Sequence, residues 1–173
     1  MASPPIVFPP ATWANQDLVV FHGTVDSFAT SIVSGITVGH GTPNTDFGPG
    51  FYTTTVKRQA QMWAAQLSVA LPGTSPAVIE ITIKRPSLAG LEALAFVRGD
   101  FGADDYWSLI HHCRKGALGH GRLPPAPSYY DVVYGPVAAF WNQRMVVADA
   151  DQISFHTVAA EAVLNASSRT RII

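Results

Sequence analysis

Sulfur and charge are both scarce in this chain. Cys113 is its lone cysteine, so no disulfide can close within it, and a disulfide-stapled secreted scaffold is excluded. Charged residues make up only 13% of the sequence and balance to a formal net charge of −1, which leaves no basic field of the kind that carries most affinity for nucleic acid. No apolar run reaches the roughly 18 residues that a membrane span needs. The N-terminal stretch has no positively charged segment and its apolar residues are broken by prolines, unlike a signal peptide. The expectation is a cytoplasmic protein without a membrane partner.

Several catalytic signatures are missing as well. There is no Gly-x-Ser-x-Gly elbow, no phosphate-binding Walker loop, no His-Glu-x-x-His and no Cys-x-x-Cys. His111 and His112 are adjacent, and neighbours on a helix diverge by about 100°, so the pair does not form one metal site. No metal is expected. Cys113 has no glycine elbow around it and reads as a buried helix thiol.

What is present begins with apolar content of 47% over 173 residues, ample for a core. Residues 1–16 form a proline-rich arm and 17–173 a single domain. Asp17 to Gly23 is a short apolar strand with His22 at its end. Thr24 or Asp26 can cap the next helix, whose Phe28, Ile32 and Val33 face the core, with Gly35 as a left-handed stop. Ala77 to Arg85 alternates apolar and polar residues, the clearest strand pattern in the chain. Asp104 to Gly116 reads as a helix with acidic residues first, basic residues last and a glycine stop. Leu88 to Val97 reads as a short helix or turn, and Tyr129 to Pro136 as a strand ended by Gly135-Pro136. Asp151 to Thr157 is a further strand, followed by a helix over 158–165 capped by Thr157. Short strands interrupted by helices predict an α+β domain with mixed or antiparallel sheets.

The centre of this arrangement is Gly48-Pro49-Gly50-Phe51-Tyr52 and the threonines after it. The glycines permit a sharp turn and close approach of another molecule. Strand alternation sends Phe51 and Tyr52 to opposite faces, so one can pack inward while the other lines a cleft. A helix follows, with Val56, Ala60, Trp63, Leu67 and Ala70 on one apolar stripe, and Trp63 reads as core. His22 followed by Gly23 is the second candidate, because glycine leaves the backbone bare for a ligand. The residues alone define an α+β domain with a glycine-lined cleft holding a histidine and a tyrosine.

Four motifs in order carry a resemblance: Val20-Phe21-His22-Gly23-Thr24, Asp46 to Thr54 with Gln59, Ala60 and Trp63 after it, Asp131 to Val137, and Gln152 to Thr157. Together they resemble a family of small bacterial and fungal proteins with the ADP-ribosyltransferase fold, the superfamily of diphtheria-type toxins and poly-ADP-ribose polymerases. The resemblance runs from about residue 18 to 165. It implies split β-sheets with flanking helices around NAD as co-substrate, and a His-Tyr-Glu signature. His22 would bind the adenosine-side ribose, the backbone of Gly23 the nicotinamide carboxamide, and Tyr52 would stack on nicotinamide. Thr24, Asp46, Phe47, Gly48, Gly50 and Phe51 would line the cleft. Gln152 falls where the signature has glutamate. Glutamine keeps a hydrogen bond but brings no charge and cannot act as a general base. The implied activity is therefore mono-ADP-ribosyl transfer to a protein or nucleic-acid acceptor, or NAD hydrolysis, and not chain elongation. An NAD- or ADP-ribose-binding module without transfer, and an RNA 2′-phosphotransferase-like enzyme, are the alternatives.

Overall fold

The computed structural model describes residues 16–96, 104–121 and 128–173, so the proline-rich arm lies outside it except for Gln16. Two sheets are built. In the first, β1 (Leu18–Val25) pairs antiparallel with β3 (Pro76–Ile83), and β7 (Ser168–Arg171) runs antiparallel on the other side of β3. In the second, β2 (Phe51–Thr53), β6 (Met145–Phe155), β5 (Val132–Phe140) and β4 (Ala93–Ala95) lie in that order, with β4 and β5 parallel and the other pairs antiparallel. Five α-helices accompany them among the described residues: α1 (Asp26–Ser34), α2 (Lys57–Ala70), α3 (Arg85–Leu88), α4 (Asp104–Arg114) and α5 (Val158–Ala166).

The alternation over 77–85 is realised as β3, where Ala77, Ile79, Ile81 and Ile83 are fully buried. These side chains meet Val20 of β1, Ile153 and Phe155 of β6, Ala29 of α1 and Leu164 of α5. Burying each large aliphatic or aromatic side chain there contributes about 1.5–3 kcal/mol, which is why the two sheets close on each other along this seam. Val78 points the other way and packs with Ala60 and Ala64 of α2. A separate cluster of Phe47, Trp107, Ile110, Cys113 and Val133 fills the space between α4 and the far face of the second sheet. The second half of β6, Ala150 to Phe155, is thus buried on both faces of the second sheet.

One contact joins the sheets through the backbone. Thr54, just past β2, exchanges two hydrogen bonds with Phe21 of β1, at 2.8 and 2.9 Å. The chain therefore leaves one sheet and touches the other immediately before it enters α2.

Several expectations are met in kind. Asp104–Arg114 is helical with Gly116 at φ +81°, and Thr157 caps α5 by accepting the Ala160 amide at 3.2 Å. Others need correction. The residue at the start of α1 is Val25, with no side-chain cap; Asp26 instead accepts the Ser27 and Ser75 amides through Oδ1. Gly35 is extended at φ −176° rather than left-handed, and Phe28 is 51% exposed because Ala29 takes the inward position. Trp63 is 60% exposed, since Ala60 and Ala64 form the stripe that α2 lays against β1 and β3, and their small side chains bring the helix close. Gly135-Pro136 does not end β5. The strand runs on to Phe140, with a register irregularity between Pro136 and Ala138 that accommodates the proline. Leu88 to Phe96 resolves into the end of α3 and the short strand β4, while Val97 lies outside the described residues.

Candidate functional site

The 45–50 turn is folded inward on protein partners. Tyr52 shares a face of the second sheet with its cross-strand partner Ser154, and its ring points toward α4. The phenol oxygen accepts the Phe47 amide at 2.9 Å, and its proton points at the Gly48 carbonyl at 2.7 Å, with the Thr45 hydroxyl at 2.9 Å. Burial drives the Tyr52 hydroxyl well above the usual phenol range. Phe47 is fully buried, and its carbonyl accepts from His120 Nε2 at 2.8 Å. Gly48 holds φ +79°, and a side chain on Gly50 would fall 2.6 Å from Nδ1 of His156. This stretch needs glycine, though what approaches the backbone is the rest of the chain.

Asp46 anchors the turn. Its Oδ1 receives the guanidinium of Arg114 at 2.5 and 2.8 Å, and its Oδ2 receives the Ala138 amide at 2.8 Å and the Gln152 carboxamide at 2.7 Å. Gln152 gives its other N–H to the Pro136 carbonyl at 2.9 Å. The amide at 152 is thus a donor to a buried carboxylate. Beside them, burial pushes the Cys113 thiol up to about 12, with the Asp46 carboxylate adding to the effect.

His22 stands on the other side. Its Nδ1 lies 2.7 Å from the Tyr52 carbonyl, and because a carbonyl only accepts, Nδ1 carries the proton. Its ring stacks on Phe51, with centroids 4.4 Å apart and planes at 24°. Burial holds its pKa below the ordinary imidazole value, partly opposed by the bond to the carbonyl. The ring is therefore neutral at pH 7, with the Nε2 lone pair free to accept a hydrogen bond. Gly23 is not bare toward a ligand on its Cβ side, where a side chain would lie 2.2 Å from the Ala60 carbonyl of α2, and Thr24 is buried.

Strand register settles which groups share His22's side. Phe51 pairs with Phe155 and Thr53 with Ile153, facing the seam between the sheets, whereas Tyr52, Ser154 and Gln152 face α4. Tyr52 and Gln152 converge, then, but on the face opposite the His22 imidazole. The carboxylate that alternates onto the seam side is Asp151. Its Oδ1 accepts the Thr54 hydroxyl at 2.6 Å and the Thr55 amide at 2.9 Å, while the Thr55 hydroxyl meets Oδ2. Gln59, in the first turn of α2, grips its backbone: Nε2 donates to the Asp151 carbonyl at 2.8 Å and Oε1 accepts the Asp151 amide at 3.1 Å. Asp151, Thr54 and Gln59 were not singled out from the sequence as site residues. The parity of Asp151 with Ile153 and Phe155 was the available signal.

A cleft of about 620 Å³ opens elsewhere, between β4 and α4, lined by Leu94, Phe96, Ser108, His112 and Tyr130 among others. None of His22, Tyr52, Asp151 and Gln152 reaches it. His22 and Asp151 lie instead toward the seam, His22 next in sequence to Phe21 and Asp151 bonded to Thr54, the two residues whose backbones join the sheets.

Fold and site define a two-sheet α/β protein with that pair near the backbone contact between its sheets. The family model described as "Protein of unknown function (DUF3990)" matches residues 18–145, from the first residue of β1 to the first residue of β6, and the chain belongs to that family. No curated protein matches it. No described helix is long and apolar enough to cross a membrane.

Proposed function

We propose that this chain cleaves NAD and passes the ADP-ribosyl group to an acceptor or to water, with His22 and Asp151 as the working pair. The observation that carries the reading is the fixed tautomer of His22. With Nδ1–H spent on the Tyr52 carbonyl, Nε2 is left as an acceptor suited to a ribose hydroxyl, on the seam side to which Asp151 alternates. Breaking the nicotinamide–ribose bond sends its electron pair to the pyridine nitrogen and leaves positive charge on the sugar. A carboxylate fixed beforehand by hydrogen bonds from Thr54 and Thr55 stabilises that charge without having to reorganise. The acceptor oxygen then bonds to the sugar carbon and its proton goes to Asp151. In this reading Tyr52 and Gln152 hold the 45–50 turn in place and do not touch the reacting atoms.

One observation favours a second reading, a module that binds NAD or ADP-ribose without turnover: both Asp151 oxygens already accept hydrogen bonds. Incubation with NAD separates the two. The transferase reading expects nicotinamide release that falls by about 10²-fold or more in folded His22→Ala and Asp151→Asn proteins. Saturable binding of NAD with no release leaves the module, and release unaffected by either substitution removes the proposed pair.

A further inference from the structure

The Thr54 hydroxyl has one proton and two acceptors within reach. Its oxygen lies 2.6 Å from Asp151 Oδ1 and 3.0 Å from Gln59 Oε1, and it accepts the Val56 amide at 3.0 Å. Gln59 Oε1 has a lone pair to spare, since the Asp151 amide occupies only the other. While Asp151 is a carboxylate, the Thr54 proton points at it. If Oδ1 of Asp151 gains a proton, that arrangement fails, because two donors would face each other across 2.6 Å.

Resting on the reaction proposed above, we infer that Thr54 and Gln59 form a proton-accommodating pair behind Asp151. When Oδ1 of Asp151 takes the acceptor's proton, its O–H donates to Thr54 Oγ1, and the Thr54 proton turns to Gln59 Oε1. Thr54 then accepts from Val56 and Asp151 and donates once, its full complement, and no group is left unpaired. No bond other than the one to the transferred proton forms or breaks. Gln59 and Thr54 act through Asp151, so both are positioning residues. Because Gln59 also clasps both backbone polar groups of Asp151, the alternative acceptor keeps its place as the proton moves.

The test compares nicotinamide release by the wild-type chain, Gln59→Met, Thr54→Val and Thr54→Ser, with thermal melting of each. Gln59→Met removes the alternative acceptor and Thr54→Val the hydroxyl that turns to it, and kcat is expected to fall about tenfold or more in each, with KM for NAD within about twofold. Thr54→Ser restores the hydroxyl and is expected to keep kcat within about twofold of wild type. A wild-type kcat in Gln59→Met or Thr54→Val overturns the inference, as does an equal loss in Thr54→Ser. If Gln59→Met does not fold, the two Thr54 variants decide. If neither Gln59→Met nor Thr54→Val folds, the role is structural and the inference falls. A wild-type protein that releases no nicotinamide removes the underlying reading as well, whereas an active wild type with indifferent variants removes the proton pair alone.

Discussion

The carboxamide nitrogen of Gln152 sits 2.7 Å from Oδ2 of Asp46, inside a layer where both residues are nearly inaccessible to water. The contact explains why an amide occupies 152: only a donor can face that oxygen, whose neighbour is already committed to Arg114.

Gln152→Glu is therefore expected to destabilise the fold, on the order of 3 kcal/mol, by replacing the donor with a second buried negative group. Urea unfolding measures it. An equally stable variant with faster NAD cleavage would instead return position 152 to the reacting centre and remove Asp151 from it.

Stability is expected to fall in mild acid through His156. Its Nδ1–H is given to the Pro49 carbonyl and its Nε2 lies against the Ser154 hydroxyl, both at 2.7 Å, and the neutral ring accepts from that hydroxyl. Burial, with the nearby His120, lowers its pKa to about 4, while in the unfolded chain it titrates near 6.5. The unfolded state thus binds the proton first as pH falls. Stability is full above about 6.5, declines between there and about 4, and loses on the order of 3 kcal/mol across that window. His22, also lowered by burial, acts in the same direction. Unfolding free energies at pH 7 and pH 5 check this; equal values, or an undiminished difference in His156→Gln, would contradict the assignment.

Gly23→Ala tests the seating of α2. The new methyl would meet the Ala60 carbonyl at 2.2 Å and the Ala64 amide at 3.1 Å, both backbone atoms that cannot swing aside. A loss of about 1–3 kcal/mol or more in urea unfolding is expected, and a neutral substitution would mean that α2 sits farther from β1.

Much of the frame was legible because burial imposes a period. The isoleucines of β3 and the charged ends and glycine stop of α4 are read directly from residue order. β7 was not legible: Ser168-Arg169-Thr170-Arg171 has no apolar alternation and is a strand because β3 offers it an edge. Trp63 was misplaced because a tryptophan on an apolar stripe suggests core, whereas the small side chains of Ala60 and Ala64 determine how near the helix can come. For the candidate site, His22 and the Gly48-Pro49-Gly50 turn stood out by residue type. Whether 151 or 152 faces the seam depended on one step of strand parity, which the apolar pair Ile153 and Phe155 encodes.

On the proposed reading, the paired hydrogen bonds between Phe21 and Thr54 also restrict how a nucleotide could enter. They act as a stitch where a hinge would otherwise be, and prying the sheets apart would tear them and pull on the carboxylate that Thr54 holds. Phe51, stacked on the imidazole of His22, is the side chain that would have to turn for a ligand to reach that ring without breaking those bonds.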